Sequence, residues 1–389
     1  MSPVSTVATR PRILRFCLAL SILGAAALVS PLHGQGQRGA PAKAAAAPAV
    51  PGNGTIYLGS YKGAIQVIDE ATEKITGEIP TKSGIPGRVT FSQDRSKIYV
   101  TEIQYEKFEI VDRVKQQSID TFTLTEGNAK TRIWGLTPDP FDKYAILTIK
   151  KYTLATDHWE IGPPTLVQYD FATRKITRTI PWPKGEEREG IGILFSPDGK
   201  LMYMLAEDIL IYETTNFTEV DKWELARPAE PGGGVVSFGG YDPFSDEPGF
   251  YTGIFTSNDP LQNRRVMGIG RIDLLHKKVE FHPVGPTRPL SYTVSPDHTR
   301  AVGMMSDIGE YEFWSFDLER YAVLKRAPFP GRPRMSLRFS SNGNYIYVFT
   351  AGNTIDLWDA TSLTFARTIT LDGDMTSFRL LPPAAPPRR

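Results

Sequence analysis

The chain has 389 residues, with 44 basic and 43 acidic side chains and a net charge of +1. That balance gives no global field for gathering nucleic acid or an anionic membrane surface. Aromatic residues make up 11%, alongside 34 Gly and 31 Pro, a strand-and-turn composition that argues against a helical protein. The length admits two average domains or one closed β architecture.

Residues 1–36 read as an export signal. Arg10, Arg12 and Arg15 form a positive region, and Phe16 to Val29 is an apolar run closed by Pro31. A helix of that run covers only about 21 Å, short of the roughly 30 Å hydrocarbon core. Gly34 and Gly36 offer small residues for cleavage; a retained anchor is the alternative. Cleavage removes three arginines and no acidic residue, so the balance moves only from +1 to −2. It also removes Cys17, the only cysteine, which suits an oxidising compartment. The expected location is periplasmic or secreted, with no membrane span after cleavage. Residues 37–53 are Ala, Pro and Gly without an apolar period and read as a disordered tether. Residues 383–389 read as a disordered tail, leaving 54–382 as the folded part.

A phrase then recurs along the chain: apolar strand, polar turn, second strand. In order the copies are VTFSQDRSKIYVT (89–101), WGLTPDPFDKYAIL (134–147), ILFSPDGKLMYML (193–205), YTVSPDHTRAVGM (292–304) and LRFSSNGNYIYVFT (337–350). Ser-Pro-Asp-Gly supplies a side-chain cap, a fixed φ and a residue that tolerates positive φ, the chemistry of a hairpin. A second hairpin follows each copy, as in IQVIDEATEKITGEI (65–79), LVQYDFATRKITRTI (166–180) and TIDLWDATSLTFARTI (354–369). Four strands per unit is the pattern of a propeller blade. The markers Phe91, Leu136, Phe195, Val294 and Phe339 are spaced 45, 59, 99 and 45 apart. The gap of 99 holds a degenerate copy, with strands near 235–238 and 250–255. Thr55 to Ile79 offers three strands without an inner one, and Met375 to Leu381 is a spare strand. Joining them predicts an all-β, seven-bladed β-propeller of four-stranded blades, closed by pairing the C-terminal strand with the N-terminal blade. Six or eight blades, or two β-sandwiches, are the competing architectures.

KIYVTE (97–102), FSPDGKLMYM (195–204) and YIYVFTAGNTIDLWDATSLT (345–364) resemble the YVTN-type propeller repeat of exported prokaryotic proteins. A narrower resemblance is to the β chain of quinohaemoprotein amine dehydrogenase, within the quinoprotein amine dehydrogenase β-chain-like propellers. It rests on DHWEIGPPTLVQYD (157–170), GFYTGIFTSNDPLQNRR (249–265) and GDMTS (373–377). In that family the propeller is a subunit, and haem and a tryptophan-derived quinone sit on other chains. The resemblance therefore implies a protein partner and no cofactor held by this chain.

Strand parity places the Ser-Pro-Asp-Gly and Asp-Ala-Thr turns on one face. The irregular connections, including insertions at Lys150 to Pro164 and Ser257 to Arg265, lie on the other. Long loops on a rigid scaffold are where binding residues concentrate. Arg88, Arg132, Arg188, Arg288, Arg332 and Arg334 lie at or just before inner strands on that face. They read either as a ring capturing carboxylates, phosphates or an acidic partner, or as ties to neighbours such as Glu189 and Asp374. Trp134, Tyr152, Trp159 and Tyr292 are candidate aromatic anchors at the same mouth, or else core between blades. His158 lies in the same irregular region. His276 and His282 are expected to be solvated, and His298 replaces the turn glycine.

No histidines are paired at metal-ligand spacing, and no nucleophile elbow, P-loop, dinucleotide or EF-hand motif occurs. The leading expectation is an exported propeller, without catalytic residues of its own, that binds a protein partner or a small ligand. A stand-alone lactonase- or hydrolase-type propeller with a cation in its central channel stays open, as does a cell-surface structural or adhesion protein.

Overall fold

The computed structural model describes residues 50–206, 208–224, 236–241, 250–259 and 263–383. The expected export signal, the tether up to residue 49 and the last six tail residues lie outside them. The described residues form twenty-nine strands in seven antiparallel sheets. The first blade contains β1 (Thr55–Ser60), β2 (Ala64–Asp69) and β3 (Lys74–Pro80). The second has β4 (Pro86–Phe91), β5 (Lys97–Glu102), β6 (Lys107–Asp112) and β7 (Gln117–Thr123). The third has β8 (Ala129–Pro138), β9 (Tyr144–Leu154), the short β10 (Trp159–Ile161), β11 (Thr165–Asp170) and β12 (Lys175–Ile180). The fourth is β13 (Gly192–Phe195), β14 (Leu201–Leu205), β15 (Ile209–Glu213) and β16 (Glu219–Trp223). The fifth is β17 (Val236–Tyr241), β18 (Phe250–Asp259), β19 (Arg264–Asp273) and β20 (Lys278–Pro286). The sixth is β21 (Leu290–Val294), β22 (Arg300–Asp307), β23 (Glu310–Asp317) and β24 (Ala322–Pro328). The seventh is β25 (Ser336–Phe339), β26 (Tyr345–Phe349), β27 (Thr354–Asp359) and β28 (Phe365–Thr370). The last strand, β29 (Met375–Leu381), returns as the inner strand of the first blade, giving the order β29-β1-β2-β3. This is the seven-bladed, end-closed propeller the repeat predicts.

The turns explain why the repeat folds this way. In the first hairpin of blades two, four and six, the Ser hydroxyl donates to the Asp two residues on at 2.6 Å (Ser92 to Asp94, Ser196 to Asp198, Ser295 to Asp297). The fourth turn residue is left-handed whether or not it is glycine: Gly199 has φ +68°, Arg95 +62° and His298 +57°. The turn bonds thus carry His298 into the conformation glycine adopts most readily. The second hairpin is more regular still. Asp69, Asp112, Asp170, Glu213, Asp273, Asp317 and Asp359 open seven equivalent turns. Each closes four residues later on a left-handed, non-glycine residue: Glu73, Gln116, Arg174, Phe217, Lys277, Tyr321 or Leu363.

Each joint between neighbouring blades encloses one apolar cluster, and there are seven among the described residues. Middle strands are buried on both faces, as in IYLGS of β1, while outer strands such as β3 are largely exposed. That is why middle strands read as continuous apolar runs rather than alternating ones. Tyr99 crosses into the next blade, stacking on Phe171 at 5.6 Å and donating to Asp142 at 2.5 Å. Burial and that carboxylate push its phenol far above the ordinary range.

At the closing joint the fully buried Glu70 accepts from Gly54 N (2.7 Å), Ser341 N (2.8 Å), the Tyr347 hydroxyl (3.0 Å) and the Ser341 hydroxyl. A buried carboxylate persists only when its lone pairs are met in this way. Residues 50–53, which the sequence assigns to the tether, are bonded to the same joint. Asn342 Nδ2 donates to Val50 O at 2.8 Å, and Asn53 N donates to Ser341 Oγ at 3.1 Å.

Candidate functional site

The irregular face is built differently from the expected loops. The segment after Lys150 is a strand extension: β9 runs on to Leu154, and β10 folds back so that Trp159 faces Leu154 and Ile161 faces Tyr152. β8 lengthens with it, pairing Ala129 with Thr153. The tip closes through Ala155 N to His158 O at 2.9 Å, and Asn128 Nδ2 donates to Leu154 O at 2.8 Å. This raised hairpin presents three large apolar residues to solvent: Leu154 at 46%, Trp159 at 43% and Ile161 at 63% exposure. The second expected loop, Ser257 to Arg265, is also mostly ladder, because β18 and β19 pair out to Asp259 and Arg264. Both corrections have one cause: β-branched and aromatic residues continue the pleat beyond the blade.

A second irregularity separates the first three blades from the last two. Their inner strands each carry one extra residue at the same level of the ladder. It is Thr376 in β29 between the Met375–Ser60 and Ser377–Gly59 pairs, and Gly87 in β4 between Pro86–Glu102 and Arg88–Thr101. In β8 it is Trp134, between Ile133–Ile149 and Gly135–Thr148. β21 and β25 pair without any shift. A bulge interrupts the ladder and re-aims a side chain. Here the carbonyls at the bulges are taken by the preceding blade: Thr376 Oγ1 donates to Pro86 O, and Arg88 Nη1 to Trp134 O at 2.5 Å. Trp134 turns onto Tyr105, with 4.8 Å between ring centroids, and the Arg88 guanidinium lies 5.2 Å from that same ring.

Behind these residues lies a cavity of about 230 Å³. Arg88 and Arg379 supply guanidinium groups, Thr90 and Thr101 hydroxyls, and Ile133 and Leu136 an apolar wall. Among the described residues no carboxylate lines it; Tyr99 does, but its hydroxyl is committed to Asp142. The Trp134 Nε1 donor is buried and meets no acceptor among the described residues. Trp223 and Trp358, by contrast, sit inside the apolar clusters between blades.

The structure brings some of the sequence candidates together and separates others. Arg88 and Trp134 meet. Arg132 packs over Tyr152 at 5.1 Å in the same blade, a cation–π pair at the root of the hairpin. His158 and Trp159 stand at its tip, His158 Nδ1 lying 2.7 Å from Asp157 Oδ1. Arg188 reaches Glu186 at 3.4 Å, whereas Glu189 is taken by Lys150 at 2.8 Å. Arg288 faces Glu310 at 3.7 Å. Arg332 and Arg334 are exposed on the connection before β25. Tyr292 is no mouth residue: it is 8% exposed and packs in the cluster between blades five and six. The six arginines thus work in separate local settings. Arg379, on the closing strand, was missed by sequence because only the ring closure carries it next to Arg88.

His282 is not solvated as expected. It stacks on Tyr321 at 3.5 Å, and burial lowers its pKa. His276 is exposed, 2.7 Å from Asp273. Among the described residues no group of three His, Cys, Asp or Glu is placed to hold a metal ion, and no helix is long and apolar enough to cross a membrane.

No family model matches the chain, and no curated protein sequence matches it. Solved structures do. A functionally unknown protein from Desulfotomaculum acetoxidans is 13% identical with a TM-score of 0.50, covering 85% of this chain and 99% of that one. AztD of Citrobacter koseri is 13% identical with a TM-score of 0.49, covering 84% and 97%. The dihydro-heme d1 dehydrogenase NirN, in complex with DHE, is 14% identical with a TM-score of 0.47, covering 86% and 76%. At these identities the likeness concerns the fold alone. The chain is an all-β propeller, and what it shares with these structures is that fold.

Proposed function

We propose that this chain is an exported, non-catalytic β-propeller that docks a protein partner on its irregular face. The observation that carries the reading is the raised hairpin of the third blade. Leu154, Trp159 and Ile161 leave apolar surface in water on an element the propeller core does not use, and such exposure marks an interaction site. The hairpin is braced by the Arg132–Tyr152 pair and the Lys150–Glu189 bridge, so it presents that surface on a stiff support. The reading of residues 1–36 as a cleaved signal supports a periplasmic or secreted location.

In its narrower form the function is that of a β-subunit-like component of an amine-oxidising complex, with the cofactors on other chains. Support for this form comes from the sequence likeness of segments 157–170, 249–265 and 373–377. The test is affinity capture of the tagged, exported protein from its native envelope fraction, with metal analysis of the purified chain. A stoichiometric protein partner supports docking, and one bearing haem or a quinone supports the narrower form. A monomer carrying one tightly bound cation contradicts both and favours a propeller hydrolase.

A further inference from the structure

We propose that the cavity behind Arg88 and Trp134 is a binding site for a compact carboxylate anion. The inference stands apart from partner docking and holds whether or not the hairpin captures a protein.

Three observations converge. The first is the bulge shared by the inner strands of blades one, two and three, at one level and in consecutive blades. A bulge costs ladder bonds, and bulges cluster where a strand must re-aim a side chain. In β4 the bulge at Gly87 places Arg88 opposite Thr101; a side chain on Gly87 would meet the Ile103 backbone at 3.0 Å. In β8 the extra residue is Trp134 itself.

The second is the donor set. Among the described residues two arginines, two threonines and Trp134 line the cavity, and no carboxylate does. Among the described residues Arg88 meets a backbone carbonyl and an aromatic ring rather than an acidic side chain. Only part of its five-donor fork is used, and a carboxylate accepts such a fork with two parallel bonds.

The third is Trp134 Nε1, a buried donor with no acceptor among the described residues. Leaving a buried donor unmet is costly, and an acceptor oxygen that reached it from the cavity Trp134 lines would remove that cost. The volume of about 230 Å³ sets the ligand class further. It falls below the roughly 300–1,000 Å³ of sites for drug-sized ligands, so a small organic acid fits better than a nucleotide or a long chain. Ile133 and Leu136 give its carbon skeleton an apolar wall.

The experiment is titration calorimetry of the full chain with acetate, succinate and inorganic phosphate at matched ionic strength, with tryptophan fluorescence recorded in parallel. The expected result is saturable binding of acetate or succinate with a change in emission. Arg88→Gln should weaken it about tenfold or more, and Trp134→Phe about threefold. The phenylalanine keeps an aromatic ring beside Tyr105 and removes the N–H together with the pyrrole ring. Arg88→Lys covers the case in which Arg88→Gln does not fold; it too should weaken binding, because an ammonium presents no fork. Lys200→Gln, on the opposite face, should change nothing. Absence of saturable carboxylate binding up to about 10 mM overturns the proposal. So does binding that the Arg88 and Trp134 variants leave unchanged, or a tenfold preference for phosphate.

Discussion

The two faces of this propeller are made from the same strands and treat their polar groups in opposite ways. On the turn face each acidic residue that opens a second hairpin is satisfied locally. Asp170 accepts from Thr173 N and Oγ1 at 2.7 Å each, and Asp359 takes Ser362 N at 2.6 Å. On the other face donors are left over: Trp134 Nε1 has no acceptor among the described residues, and Arg88 meets a carbonyl instead of an acid. The hairpin on that face also raises Trp159 and Ile161 into water. A face whose acidic turn residues are all met locally is scaffold, whereas one that leaves donors unmet beside inner-strand bulges offers groups to a second molecule.

The largest effect should come from opening the ring. Deleting residues 374–389 removes β29 and exposes the edges of β1 and the apolar joint behind Ile56 and Leu58. Loss of the whole cooperative transition in urea, followed by circular dichroism, is expected; a native transition in the truncated chain would contradict closure as the source of stability. Next comes the closing joint itself. Glu70→Ala leaves Gly54 N, Ser341 N and the Tyr347 hydroxyl without their acceptor, for a loss of about 3 kcal/mol or more in urea unfolding.

A smaller, graded effect belongs to the turn face. The hydrogen bonds from Thr173 hold Asp170 below the usual carboxylate range, and those at Asp69 and Asp112 come from Thr72 and Lys115. Their folded pKa values lie under the unfolded ones. This stabilisation is therefore complete above about pH 4 and is lost as pH falls through the folded values. Stability against pH should drop steeply in that window, and Asp170→Asn should make the drop shallower. The smallest effect on stability, within about 0.5 kcal/mol, is expected for Ile161→Ser on the hairpin, because the residue touches solvent rather than core. Its effect should appear only in partner capture.

Much of the architecture was legible because it is local. The Ser-Pro-Asp-Gly phrase carries its own turn chemistry, and Met375 to Leu381 is one strand too many for a chain whose first unit is one short. A stronger count was also present, since seven acidic residues open seven second hairpins, from Asp69 to Asp359. It is blurred because the following residues vary from Ala-Thr to Leu-His. The site was less legible. Arg88 and Trp134 stand out as residue types, but a bulge leaves no mark in residue order, and Arg379 is far from both along the chain. Tyr292 shows the opposite error: an aromatic residue at an inner strand faces either the mouth or the neighbouring blade, and parity alone does not choose.

The most direct test of the division between faces uses single cysteines in a Cys17→Ser background. Ile161→Cys places a label on the hairpin, and Val114→Cys places one on the turn face, where that residue is 72% exposed. Each is coupled to a bulky maleimide before capture from the native envelope. The account predicts that the label at position 161 abolishes capture of the partner while the label at 114 leaves it intact. Capture that survives at 161 and fails at 114 would place the binding surface on the face taken here as scaffold.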